Sequence, residues 1–387
     1  MKRFFNSEII TTGLAIFSMF FGAGNLMYPI RVGSSAGDAN PWAIAGFLIT
    51  ATLFPLIGLI AIILFQGDYA RFFYRLGKIP GFFLILFCLS IAGPLIAMPR
   101  IVALSYTVIA PFFPGLSLFF FSIIFLFCTF LATYKESKIV DLLGYVISPL
   151  LLISLVIIII KGYFSPSLGV TTTTQAPLEM FWKNFIYGYE TLDLLGGIFF
   201  SSIVITILQK NFATLGSSDF KKLALMSLKS GIIGVSLLGL VYLGLSYLGV
   251  YFGHGLEHIN EGELFSAVSF RILGPHGAAI IALAVLMACF STIIALTAIN
   301  SEFINKQIFK GKIGYINSII IVLLLTLIPS NLGLGPILEF SRPIITIAYP
   351  ALIVLTLVNI AYKLFNFKLV KIPVAITLII SCIAYFI

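Results

Sequence analysis

Asp193 stands inside an apolar run, Gly188-Tyr-Glu190-Thr191-Leu-Asp193-Leu-Leu-Gly196-Gly197, in a chain of which only 10% of residues are charged. A carboxylate in mid-span is costly and points to function, with three roles open: pairing with a cationic ligand group, carrying a proton, or answering a buried arginine such as Arg100 or Arg342. A purely structural ion pair is the plain alternative. A second run, Ser18-Met-Phe-Phe-Gly22-Ala-Gly24-Asn25-Leu-Met-Tyr-Pro29, sets two glycines, an amide and a proline in another apolar segment, where each weakens a helical ladder. Lipid cannot satisfy the freed backbone groups, so a broken segment must line a protein-walled cavity and bind something with the N–H and C=O groups it releases. A glycine face for helix packing is the rival reading. A third run, Ala288-Cys-Phe-Ser291-Thr292, presents a carbonyl at i and hydroxyls at i+3 and i+4 on one helix face. Those are oxygen ligands that suit a sodium ion, although such hydroxyls also bond back to their own helix.

The elements that position these residues are membrane spans. The chain has 387 residues, 60% of them hydrophobic, and a mean hydropathy of +1.13, far from the composition of a soluble domain. A spanning helix needs about 20 apolar residues, and eleven candidates lie near 9–31, 42–66, 81–110, 116–133, 139–160, 184–208, 223–252, 274–301, 314–329, 335–361 and 370–387. The whole chain is expected to form one transmembrane domain. The first run is too long for a signal peptide and has no small-x-small cleavage site after it.

Of the 23 Lys and Arg residues, four (Arg31, Lys161, Lys183 and Arg271) fall on one set of alternate loops, Arg100 and Arg342 fall within apolar segments, and the remaining seventeen fall on the other set. The positive-inside rule then predicts a cytoplasmic N-terminus and, with eleven spans, a C-terminus outside. The same topology accounts for the net charge of +9 without nucleic acid as a partner. Cys88, Cys128, Cys289 and Cys382 have no metal or disulfide spacing.

Enzyme readings find little support. His254-Gly-Leu-Glu257-His258 fits the H-x-x-E-H pattern of inverted zinc proteases, but it contains Gly255 and lies in a short loop rather than a stable helix. No phosphate-binding GxxxxGK[ST] loop is present, so an ion gradient rather than ATP is the expected driving force. The three histidines, His254, His258 and His276, cluster in or beside the connection near 251–275. No histidine relay therefore crosses the membrane, and a coupling proton would have to ride on Asp193.

Breaks in the first and sixth segments are the expected sign of two inverted five-helix repeats, about 9–160 and 184–361, with an extra helix at about 370–387. Four runs in order along the chain, Gly22-Ala-Gly-Asn-Leu-Met-Tyr-Pro29, Gly93-Pro-Leu-Ile-Ala-Met-Pro-Arg100, Gly188-Tyr-Glu-Thr-Leu-Asp193 and Ser330-Asn-Leu-Gly-Leu334, resemble the bacterial branched-chain amino acid:cation symporters, the LIVCS or BrnQ-type carriers. The resemblance implies an all-α membrane protein with a LeuT-type 5+5 core and broken helices 1 and 6, and symport of leucine, isoleucine and valine with Na+ or H+ across the bacterial inner membrane. It implies no cofactor and no metal besides the coupling ion. Family members usually have twelve spans, so the tail is expected to lack the second helix of the last hairpin.

For such a substrate, the amides of Ala23, Gly24 and Asn25 at a half-helix start are expected to take the carboxylate. Carbonyls of Phe20, Phe21, Leu194 and Leu195, with Asp193, are expected to take the ammonium beside Gly196 and Gly197, and Phe21 and Tyr189 to wall the side chain. The sodium site shared by many transporters of this architecture would be completed by the Ser18 and Phe21 carbonyls against Ala288, Ser291 and Thr292. Glu190, Arg100 and Arg342 are gate or charge-partner candidates. Glu190 lies closer to the outer water, and Glu339 sits one helical step from Arg342.

Overall fold

Every apolar segment folds as helix, because in lipid only a helix or a closed barrel keeps backbone N–H and C=O groups bonded. The computed structural model describes residues 2–135, 138–166, 169–214, 220–256 and 258–386. The first span is α1 (Lys2–Phe20) followed by α2 (Ala23–Ala36), and the second is α3 (Asn40–Leu48) running through a wide turn into α4 (Phe54–Leu64). After the short α5 (Tyr69–Phe73), the third span is α6 (Lys78–Ala92) with α7 (Ala97–Ile109), and the fourth is α8 (Leu118–Thr133). Helices α9 (Ile139–Leu142) and α10 (Ser148–Phe164) make the fifth, and α11 (Pro177–Tyr187) and α12 (Asp193–Thr214) the sixth. Then come α13 (Phe220–Phe252), the connecting α14 (Glu261–Leu273), α15 (Ala278–Phe303), α16 (Gly314–Ser330), α17 (Leu334–Phe365) and α18 (Lys371–Phe386). Among the described residues seven stretches are long and apolar enough to cross a membrane and four more are shorter apolar helices, which together account for the eleven expected spans.

Two features depart from the expectations. The third span is broken at Gly93–Ile96, where Pro94 supplies no N–H and the N–H of Leu95 reaches back to the Ser90 carbonyl at 3.0 Å. The connection near 251–275, read as an outer loop, contains α14, whose start is fixed by the Asn260 side chain accepting the Glu263 N–H at 3.0 Å. Glu261 and Glu263 stand in its first turn and Arg271 in its last, as the helix dipole favours. Glu257 of the protease-like pattern lies outside the described residues.

Helix α13 runs along both halves of the first span, while α11 packs on α3 and α12 on α4. Small residues allow the closest approaches. Gly33 faces the Ser246 carbonyl and Gly249 the Ile30 carbonyl so closely that a Cβ on either would overlap backbone. The second break, in turn, packs directly against α2.

Candidate functional site

The first break is short. Helix α1 ends at Phe20, the Gly22 N–H turns back to the Phe20 carbonyl at 2.9 Å, and α2 starts at Ala23. The Gly22 N–H also donates to Asn25 Oδ1 at 2.9 Å. That bond orients the side-chain amide, so that its NH2 group faces Asp193 across the cavity. Asn25 Nδ2 donates to Asp193 Oδ1 at 3.0 Å and Oδ2 at 2.8 Å, and also to the Tyr242 hydroxyl. Tyr242 in turn donates to Asp193 Oδ2 at 2.8 Å. All three side chains are buried, so the carboxylate is held by neutral donors from two other spans.

The second break lies within the Gly188–Gly197 run, ahead of the Leu194 and Leu195 carbonyls that were expected to be free. The backbone leaves the helix at Gly188–Thr191, turns at Leu192 with φ 62°, and starts α12 at Asp193. A bulky residue in the left-handed region is strained and persists only where the surroundings hold it. Leu194 and Leu195 therefore sit in the first turn of α12, where N–H groups and not carbonyls are free; the Leu194 N–H donates to the Tyr349 hydroxyl at 2.8 Å. Gly197 makes a close approach to Pro55 on α4, and only Gly196 faces the cavity.

The cavity between the breaks is about 40 Å³. Of the expected substrate residues, Phe20, Ala23, Gly24, Asn25, Asp193 and Gly196 line it, together with Arg100 and Thr292. Phe21, Tyr189, Leu194, Leu195 and Gly197 do not. Phe21 stacks on Phe17 at 5.3 Å, and Tyr189 stacks on Tyr349 at 5.0 Å. Thr191, Leu192, Phe200, Ala92, Ile101 and Leu296 line the cavity without having been singled out from the sequence. Tyr242 and Tyr349 were also missed, since a hydroxyl-bearing aromatic within an apolar helix looks like ordinary packing.

At the third motif, Ser291 Oγ donates to the Ser18 carbonyl at 2.7 Å and to the Ala288 carbonyl at 2.9 Å. Thr292 Oγ1 donates to the Met19 carbonyl at 3.0 Å, with the Ser18 carbonyl at 3.5 Å. The expected set is thus brought together except for one member, since Met19 stands beside Thr292 and the Phe21 carbonyl takes no bond from either hydroxyl.

Neither arginine bonds Asp193. Arg100 Nη1 donates to the Tyr28 hydroxyl at 3.0 Å and to the Glu190 backbone carbonyl at 2.9 Å. Glu190 is buried rather than facing outer water; it accepts from the Tyr28 hydroxyl at 3.1 Å and pairs with Arg342 Nε at 3.4 Å. Arg342 also pairs with Glu261, which accepts from Tyr187 at 3.1 Å, whereas Glu339 is exposed. Tyr28, Glu190, Arg342 and Glu261 thus form a layer that ties α2, the second break, α17 and α14 together above the cavity. Glu261 was missed from the sequence; Asn260 followed by Glu261 and Glu263 is a helix-start pattern that could have marked it.

Residues 5–386 match the family described as branched-chain amino acid transport protein. The chain belongs to that family. It is 34% identical to the branched-chain amino acid permease BraB of Bacillus subtilis over 371 residues, 93% of this chain and 81% of that one. It is 28% identical to the branched-chain amino acid permease BrnQ of Escherichia coli K12 over 359 residues, 91% and 80% of the two chains. Among solved structures, a manganese transporter of Eremococcus coleocola superposes with a TM-score of 0.66 at 19% identity, covering 98% of this chain and 86% of that one. Mhp1, a nucleobase-cation-symport-1 family transporter, superposes with a TM-score of 0.66 at 13% identity, covering 97% and 91%. At such identities the likeness shows the fold alone: an all-helical, multi-span architecture of the LeuT type. This member of the branched-chain carrier family is a transporter and not an enzyme.

Proposed function

We propose that this carrier imports leucine, isoleucine and valine by alternating access, with the substrate held between the two breaks and sodium as the coupling ion. The observation that carries the reading is the meeting of two helix starts, at Ala23 and Asp193, around one buried carboxylate. The free amides of Ala23, Gly24 and Asn25, with the Arg100 guanidinium beside them, suit the substrate carboxylate. Asp193 suits the ammonium. Phe20, Ile101, Phe200 and Leu296 offer an apolar wall. A cavity of about 40 Å³ is too tight for a leucine, so binding requires the half-helices to part, as an alternating-access cycle demands.

The Ser18, Met19 and Ala288 carbonyls with the Ser291 and Thr292 hydroxyls supply a sodium-type oxygen set. A second reading couples transport to a proton on Asp193, favoured by the burial of that carboxylate with neither arginine bonded to it. The packing of the first span along the seventh, and of the sixth along the second, supports two inverted repeats near 9–160 and 184–361. The distribution of basic loops supports a cytoplasmic N-terminus and a C-terminus outside, in a bacterial cytoplasmic membrane.

Purified carrier in proteoliposomes, offered leucine, isoleucine, valine, methionine and alanine under separately imposed sodium and pH gradients, tests both coupling readings. Sodium-driven uptake and labelled-leucine counterflow are expected. Absence of counterflow would remove the carrier mechanism, and uptake driven by pH alone would move the coupling to Asp193.

A further inference from the structure

A groove of about 590 Å³ opens between α6, α17 and α18, on the far side of α17 from the layer around Glu190. Pro80, Leu84 and Phe87 form its α6 wall at helical spacing, and Ala375 and Leu378 its α18 wall. Along α6 the groove runs from Pro80 to Phe87, seven residue steps or roughly 10 Å at helical rise. That is about a third of a hydrocarbon core of about 30 Å, so the slot lies within one leaflet.

Its two ends differ. Among the described residues Lys371 is the one charged residue that lines the groove, and it stands where α18 begins, α17 has just ended and α6 starts. The Lys371 ammonium comes within 4.0 Å of the position a Cβ would take on Gly77, next to exposed Lys78. Arg75 belongs to the same end, stacked 3.5 Å above the Tyr362 ring and bonded to the Phe367 carbonyl at 3.4 Å. Among the described residues no acidic side chain lines the groove. An apolar slot within one leaflet with cations at its mouth matches a molecule with a hydrocarbon tail and an anionic head. A soluble anion would leave the slot unfilled, and a neutral lipid would leave the lysines unanswered.

We propose that this groove binds one anionic phospholipid, its acyl chain lying between α6 and α18 and its phosphate held by Lys371 and Lys78. Ile344, Ile347 and Ala348 reach the groove from α17, the helix that also carries Arg342 and Tyr349. The bound lipid therefore braces the back of the helix whose Tyr349 hydroxyl accepts the Leu194 N–H at the second break.

Native mass spectrometry of the delipidated full-length carrier, titrated with phosphatidylglycerol or phosphatidylcholine, tests the site, with leucine binding as the folding control. One phosphatidylglycerol should bind in preference to phosphatidylcholine. Lys371→Gln and Lys78→Gln should each weaken phosphatidylglycerol roughly fivefold and weaken phosphatidylcholine, whose phosphate is offset by its own ammonium, less, and Ala375→Phe should fill the slot and block both. Unchanged phosphatidylglycerol affinity in the double lysine variant overturns the proposal. So does disulfide-linked dimer formation by Leu378→Cys in vesicles, which would assign the groove to a second copy of the chain.

Discussion

The Asn25 amide spans the cavity from the first break to the second, donating to both carboxylate oxygens of Asp193 at 3.0 and 2.8 Å. Its orientation is set by the Gly22 N–H on Asn25 Oδ1, so the backbone geometry of one broken helix fixes the donor that holds the carboxylate of the other. Any ligand that parts the two half-helices must break or replace this contact.

Asp193→Asn keeps the size and deletes the charge, placing one NH2 group against another. Charge-assisted hydrogen bonds contribute about 1.5–3 kcal/mol each, so leucine affinity is expected to fall roughly ten- to a hundredfold. Binding of labelled leucine at several pH values and sodium concentrations sorts the roles: an ammonium partner loses affinity under all conditions, and a proton carrier loses the pH dependence of net uptake while exchange persists. Normal affinity, pH response and turnover would remove Asp193 from the mechanism.

Tyr242→Phe deletes a single hydroxyl that donates to Asp193 while leaving Asn25 in place. The expected loss is about 1–3 kcal/mol of stability, with leucine affinity lowered less than in Asp193→Asn. Thermal unfolding in detergent and leucine binding, measured on the same preparation, check the ranking. Equal affinity losses in the two variants would show that Asp193 acts on the substrate only through Tyr242.

Thr292→Val removes the hydroxyl that reaches the Met19 carbonyl at nearly constant volume. The sodium concentration for half-maximal leucine uptake should rise roughly tenfold, the effect of losing about 1.4 kcal/mol, and Thr292→Ser should restore most of it. Sodium dependence identical to the unaltered carrier would place the ion elsewhere.

A methyl group on Gly24 would stand 2.9 Å from the Tyr28 ring and 3.2 Å from Arg100 Nη2. Gly24→Ala is therefore expected to displace Arg100 as well as crowd the amides, lowering leucine affinity at least about tenfold, with the 1–3 kcal/mol stability cost typical of overpacking. Isothermal titration beside thermal unfolding separates the effects. Affinity retained with stability lost would identify Gly24 as a packing residue.

Arg342→Gln releases Glu190 and Glu261 from their shared cation. Arg342 is 42% exposed in its side chain, so solvent screening limits the effect to about 1 kcal/mol. A severalfold faster reaction of an Ala97→Cys probe with a membrane-impermeant thiol reagent added outside is expected. An unchanged rate would show that this layer does not close the outer path.

The eleven apolar segments, the glycine-rich first break and the mid-span carboxylate were all legible in the sequence, because length, hydropathy and helix-weakening residues are local properties. The exact place of the second break within Gly188–Gly197 was not: free carbonyls were expected at Leu194 and Leu195, yet the chain turns at Leu192, where packing against neighbouring spans holds a strained backbone. Nor did spacing reveal that Asp193 meets Asn25 and Tyr242, 168 and 49 residues away in sequence, or that Arg342 pairs with Glu190 and Glu261 rather than with Glu339. In water, a helix advertises its buried side by an amphipathic stripe. In lipid both sides are apolar, so the pattern along each helix leaves its inward face undetermined, and only the packing of all the helices together decides which polar groups meet.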